Sequence, residues 1–94
     1  MALLSSSDIM KKLRDLDNWS FDNNQIQSDY QFKNFKEALG FVNKVGDEAE
    51  KLNHHPDIFL HSWNKVKITV STHSEGGVTE KDLKLAAIID NLAK

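Results

Sequence analysis

From Phe35 to Leu52 apolar residues recur every three or four positions: Phe35, Ala38, Leu39, Val42, Val45, Ala49 and Leu52. Lys36, Glu37, Asn43, Lys44, Glu48 and Lys51 fall between them, so an amphipathic helix is expected. Pro56 disfavours helical dihedrals at the residue before it and stops this helix by His55. Beyond the proline the period changes. Val66, Ile68 and Val70 alternate with Lys67, Thr69 and Ser71, as in a strand with one apolar and one polar face. A chain that carries both periods is expected to lay amphipathic helices on one face of a sheet.

The rest of the chain fits that frame. A first helix is expected from Ser7 or Asp8, with Ile9, Leu13 and Leu16 at helical spacing, ending around Asp17-Asn18. Asn23-Asn24 separates two runs of period two, with Trp19 and Phe21 before it and Ile26, Tyr30 and Phe32 after it, and reads as a hairpin turn. A second hairpin joins Asp57–Trp63 to Val66–Thr72 near Asn64-Lys65. Gly40 and Gly46 are expected to mark close contacts of the long helix. Thr79-x-x-Asp82 resembles a capping box opening a last helix. Leu85, Ile88, Ile89 and Leu92 should face inward there, with Lys84, Asp90, Asn91 and Lys94 mostly outward. The expected order is α-β-β-α-β-β-α: an α+β fold, a four-stranded antiparallel sheet with three helices packed on one face.

Ninety-four residues make one domain, 1–94. A chain this short buries only about 60–65% of its unfolded surface, and with no Cys it has no crosslink, so a homodimer or homotetramer is expected. The net charge is −2, from 12 basic and 14 acidic residues spread along the chain. No basic stripe is available to neutralise a nucleic-acid backbone, so direct nucleic-acid binding is not expected. The start, Met-Ala-Leu-Leu-Ser-Ser-Ser, has neither a basic segment nor an apolar run of secretory length. No segment approaches the roughly 20 apolar residues that span a bilayer. With zero Cys, these readings fit a cytoplasmic protein, or one also nuclear.

Chemistry concentrates in the histidines. His54 and His55 close the long helix, and His73 follows the strand that starts at Val66. Imidazole gives and takes protons near neutral pH without help. Taken singly, a His at a helix C-terminus reads as a dipole-compatible cap. Three of them at element ends suggest an acid/base site, provided the fold brings them together. Two close imidazoles disfavour double protonation, so one stays neutral as base while the other serves as acid. Glu50 lies one helical turn before His54 and reads equally as an i,i+4 surface contact. Asp82 reads as cap, as site residue, or as both. His61 has no motif around it and reads as a surface residue. Adjacent histidines diverge from a backbone, and no H-x-x-x-H or Cys pair is present, so no metal is expected. No Gly-rich phosphate loop or nucleophile motif appears.

The pattern Glu50, three residues, His54-His55-Pro56, six residues, Trp63, nine residues, His73, eight residues, Asp82 resembles the pterin-4a-carbinolamine dehydratase family. Phe32–Leu39, Asn64–Val66 and Ser71–His73 look like that family as well. The resemblance implies dehydration of a 4a-hydroxytetrahydropterin to a quinonoid dihydropterin, without metal or organic cofactor, in recycling a tetrahydrobiopterin-type cofactor. Carried over, His54 and His73 would be the proton-transfer pair, and His55 would bind the pterin and share the acid/base role. Asn53, Ser71, Thr72, Ser74, Pro56 and Trp63 would bind substrate, with Glu50 and Asp82 supporting. Asn53 departs from the acidic residue the family commonly has there. The chemistry agrees: the leaving hydroxyl needs a proton, and the adjacent ring nitrogen must lose one. A rival function also follows from the resemblance: an interaction module acting as dimerisation cofactor of a transcription factor. An exposed apolar stripe on the long helix would favour that rival.

Overall fold

Asn23 and Asn24 both take positive φ, 55° and 61°, the condition for a two-residue type I′ turn whose twist matches the strands it joins. They fold β1 (Trp19–Asp22) back onto β2 (Gln25–Gln31). The computed structural model describes residues 3–16 and 18–94. Along it, α1 (Ser6–Leu13) precedes this hairpin, α2 (Phe35–Leu52) follows it, β3 (Asp57–His61) and β4 (Lys65–Val70) form the second hairpin, and α3 (Glu80–Ala93) ends the chain. The four strands form one antiparallel sheet in the order β1-β2-β4-β3. This is the α+β order the periodicity implies.

Registration sorts the side chains. Ile26 pairs with Val70, Ser28 with Ile68 and Tyr30 with Val66, and this face is covered. Gln27–Thr69 and Asp29–Lys67 point the other way. The core joins Ile26, Val66 and Ile68 of the sheet to Val45 of α2 and Leu85 and Ile89 of α3. Each such side chain contributes about 1.5–3 kcal/mol through removal from water. Phe41 of α2 packs against Tyr30 and Phe32, with ring centroids 5.0 and 4.8 Å apart. No helix among the described residues is long and apolar enough to cross a membrane.

Several expectations are corrected. α1 starts earlier, because Ser5 and not Ser7 or Asp8 is the cap: its Oγ accepts the Asp8 amide at 3.1 Å. It also ends at Leu13. The Asp15 and Leu16 amides bond back to Lys12 and Leu13 in a tight final turn. Of the expected end at Asp17-Asn18, Asp17 lies outside the described residues, as do Met1 and Ala2 of the N-terminal reading. On α2, Phe35 and Leu39 are 50% and 43% exposed, and Phe41 joins Ala38, Val45 and Ala49 inside. A Cβ at Gly40 or Gly46 would meet nothing within 4 Å, so neither glycine marks a close contact within the chain. The β3–β4 turn comes earlier than expected, at Ser62-Trp63-Asn64, with positive φ at Ser62 and Trp63. Asn64 pins it: its backbone carbonyl accepts the Phe32 amide, and its side-chain amide donates to the Phe32 carbonyl, each at 2.8 Å.

Asp90 is the largest departure on α3. It is buried, not outward. Its Oδ1 accepts the Trp19 indole N–H at 2.9 Å and the Tyr30 hydroxyl, tying both strands of the first hairpin to α3. Burial, and then the bond to Asp90, hold the Tyr30 hydroxyl proton well above the ordinary range. A buried carboxylate is tolerated where such donors replace water.

Candidate active site

α2 ends in a Schellman motif. Asn53 adopts the left-handed conformation (φ 50°, ψ 44°) and donates its amide to the Glu50 carbonyl, while the His54 amide donates to Ala49. Asn is among the few residues other than Gly that enter this region readily. The reversal sets the two histidines apart. His54 turns inward, and His55 stays exposed. The expected helical-turn contact of Glu50 with His54 is therefore replaced by one with His55. Asn53→Val should cost about 1–2 kcal/mol, the penalty of forcing a β-branched side chain into left-handed backbone, whereas Asn53→Gly should hold the denaturation midpoint at or above wild type. Urea melts of the two variants check this.

Across the cavity a short loop presents His73. The Thr72 amide donates to the Gly77 carbonyl at 2.7 Å, closing a bridge around a 3-10 turn, His73–Glu75. Gly76 takes φ 76° in that closure, a dihedral that suits glycine. His73 and Ser74 are exposed at the loop's edge.

Behind His54 lies a buried polar network. Its Nε2 is 2.5 Å from Asp82 Oδ1, with His54 at 9% and Asp82 at 0% exposure. The other carboxylate oxygen accepts the Thr72 hydroxyl and the Thr79 amide, each at 2.8 Å. Thr72 has then used its only proton, so the Thr79 hydroxyl donates to Thr72 Oγ1, also at 2.8 Å. The Thr79 oxygen accepts the Lys81 amide at 3.3 Å. Asp82 thus completes the capping box of α3 and engages His54 with the same carboxylate. A carboxylate accepts only, so Nε2 of His54 carries the proton and Nδ1 is left as the basic nitrogen of the neutral ring.

His54, His55 and His73 line one cavity of about 270 Å³, together with Asn53, Ser71, Thr72 and Ser74. Lys81 also lines it, and sequence reasoning missed this residue. Its place two residues after the cap Thr79 was the available signal. Pro56 is not among the lining residues. Trp63 stands at the tip of the β3–β4 turn, 62% exposed, at the end of β3 opposite to the histidines. His61 stacks on exposed Phe59 at 4.8 Å, away from the cavity. No group of three or more His, Cys, Asp or Glu side chains among the described residues is placed to hold a metal ion.

Comparison with known proteins places the chain in a family. Residues 2–92 match the family model described as pterin 4 alpha carbinolamine dehydratase. The chain is 42% identical over 89 residues, 95% of its length, to a Sulfolobus acidocaldarius protein named provisionally as a pterin-4-alpha-carbinolamine dehydratase, and covers 97% of that protein. It superposes with a TM-score of 0.91 and 40% identity on a crystal structure named transcriptional coactivator/pterin dehydratase from Brucella melitensis, covering 97% of this chain and 98% of that one. A pterin dehydratase-like protein identified as a RuBisCO assembly factor in the alpha-carboxysome shares the fold alone, with a TM-score of 0.68 at 20% identity, covering 83% of this chain and 92% of that one. The chain belongs to the pterin 4 alpha carbinolamine dehydratase family.

Proposed function

We propose that this family member dehydrates a 4a-hydroxytetrahydropterin to the quinonoid dihydropterin by histidine acid/base catalysis, returning a tetrahydrobiopterin-type cofactor to use. The observation that carries the reading is the three-histidine cavity with a buried carboxylate behind one imidazole. In this scheme His54 takes the proton from the ring nitrogen at Nδ1, and Asp82 stabilises the imidazolium that forms. Protonated His73 delivers a proton to the 4a-hydroxyl, the C4a–O bond breaks, and water leaves as the C4a=N5 bond forms. Each proton transfer is worth about 10²–10⁴ in rate. His55, held by Glu50, binds the pterin with Asn53, Ser71, Thr72 and Ser74. The test is the dehydration rate of a synthetic 4a-hydroxytetrahydropterin with and without the protein. No acceleration over buffer would reject the reading.

A second reading rests on the exposed side of α2. Phe35 and Leu39 leave about half of their apolar surface exposed on the helix. They suit a homodimer or homotetramer contact, exchangeable with a transcription-factor partner, as the coactivator name of the Brucella melitensis protein suggests. Light scattering at micromolar concentration should give a mass above one chain, and Phe35→Asp with Leu39→Asp should return it to the monomer. A monomeric wild-type chain would count against this surface.

A further inference from the structure

We propose, resting on the dehydratase reading, that Lys81 makes this cavity selective for pterins whose ring substituent carries negative charge. Among the side chains that line the cavity, Lys81 alone holds a permanent charge, and none is a carboxylate. The two carboxylates that touch the cavity's histidines are each held by one of them. Asp82 is buried with both oxygens bonded, and Glu50 is taken up by His55. Glu80, the neighbour of Lys81, pairs with Lys12 at 3.2 Å. Among the described residues the Lys81 ammonium forms no ion pair.

Stability does not account for this lysine. It is the second residue of α3, in the turn where the helix dipole favours Glu80 and Asp82 and disfavours a cation. Lys81 is exposed at the rim, whereas His54 is buried. With the reacting edge of the ring turned toward His54, as the dehydratase reading requires, the substituent trails to that rim. An ammonium accepts a phosphate ester or a carboxylate alike, as a point charge with three donors.

The test compares wild type, Lys81→Met and Lys81→Arg on three 4a-hydroxytetrahydropterins: one with a neutral hydroxyalkyl substituent, its phosphate ester, and a carboxylate-terminated counterpart. The reading is the ratio of kcat/KM, charged over neutral. Wild type should favour charged substrates about fivefold, mostly through KM, as expected for an ion pair at a solvated rim. Lys81→Met should bring the ratio to about one, Lys81→Arg should keep it, and added salt should erode it. A preference for one anion alone supports the inference and names the source of the charge. A wild-type ratio near one, or a ratio that Lys81→Met does not move, overturns it. Fluorescence quenching by the fully oxidised pterin counterparts separates the two readings. Charge-selective binding without turnover rejects the dehydratase and leaves Lys81's role standing. Turnover without charge selectivity does the reverse.

Discussion

His54→Ala and His73→Ala are each expected to lower the dehydration rate about 10²-fold or more, the value of one positioned acid or base. The two losses should differ in kind. His73 is exposed on a loop closed by the Thr72–Gly77 bridge, so its truncation should leave the fold intact. Truncating His54 removes one donor from Asp82, a carboxylate with 0% exposure, and should also cost about 1–3 kcal/mol in stability. Rates are therefore compared at equal folded fraction, read from a denaturation curve on the same preparation. The double variant should lose less than the product of the single losses, because groups that act as a unit are not additive. His61→Ala should stay near wild type, since its ring stacks on Phe59 away from the cavity. A strong chelator should leave the rate unchanged. If the chelator and His61→Ala both abolished activity, the site would be metal-based and the roles given to His54 and His73 would be wrong.

Much of this architecture was legible in the chain because it rests on local periodicity. The Asn23-Asn24 turn, the length of α2 and the alternation in β4 all follow from nearest neighbours. What was not legible depends on partners distant in sequence. Asp90 reads as an outward charge until Trp19 and Tyr30 supply donors from 71 and 60 residues away. The spacing points to Phe35 and Leu39 rather than Phe41, since period alone does not fix which side of an apolar arc meets the sheet. For the site, the grouping of the histidines was legible as a motif, but the division of labour between His54 and His55 was not. It arises from the left-handed Asn53, which sends successive side chains to opposite environments. Trp63 carries the reverse lesson: a residue at a fixed spacing in a motif stands at the far end of its strand, because the Asn64 bonds to Phe32 bring the turn forward.

Asp82→Asn should be the most damaging isosteric change in the molecule. The carboxylate accepts from three donors at once: the His54 ring, the Thr72 hydroxyl and the Thr79 amide. A side-chain amide has one acceptor oxygen and an NH2 that only donates. Wherever the NH2 points, it faces a donor. Turned toward Thr72 and Thr79, it breaks the capping box. Turned toward His54, it forces the ring to the other tautomer, puts the proton on Nδ1 and removes the basic nitrogen. Loss of the negative charge also withdraws the support for an imidazolium. Stability should fall by about 1–3 kcal/mol, the cost of a buried donor left unpaired. The rate should fall about 10²-fold or more beyond what unfolding explains, mainly in kcat. Thr79→Ala separates the two effects. It weakens the cap by about 1 kcal/mol but keeps the carboxylate on His54, so it should lower the melting midpoint far more than the rate. A folded Asp82→Asn protein with wild-type kcat would show that the carboxylate serves α3 alone, and that His54 works without it.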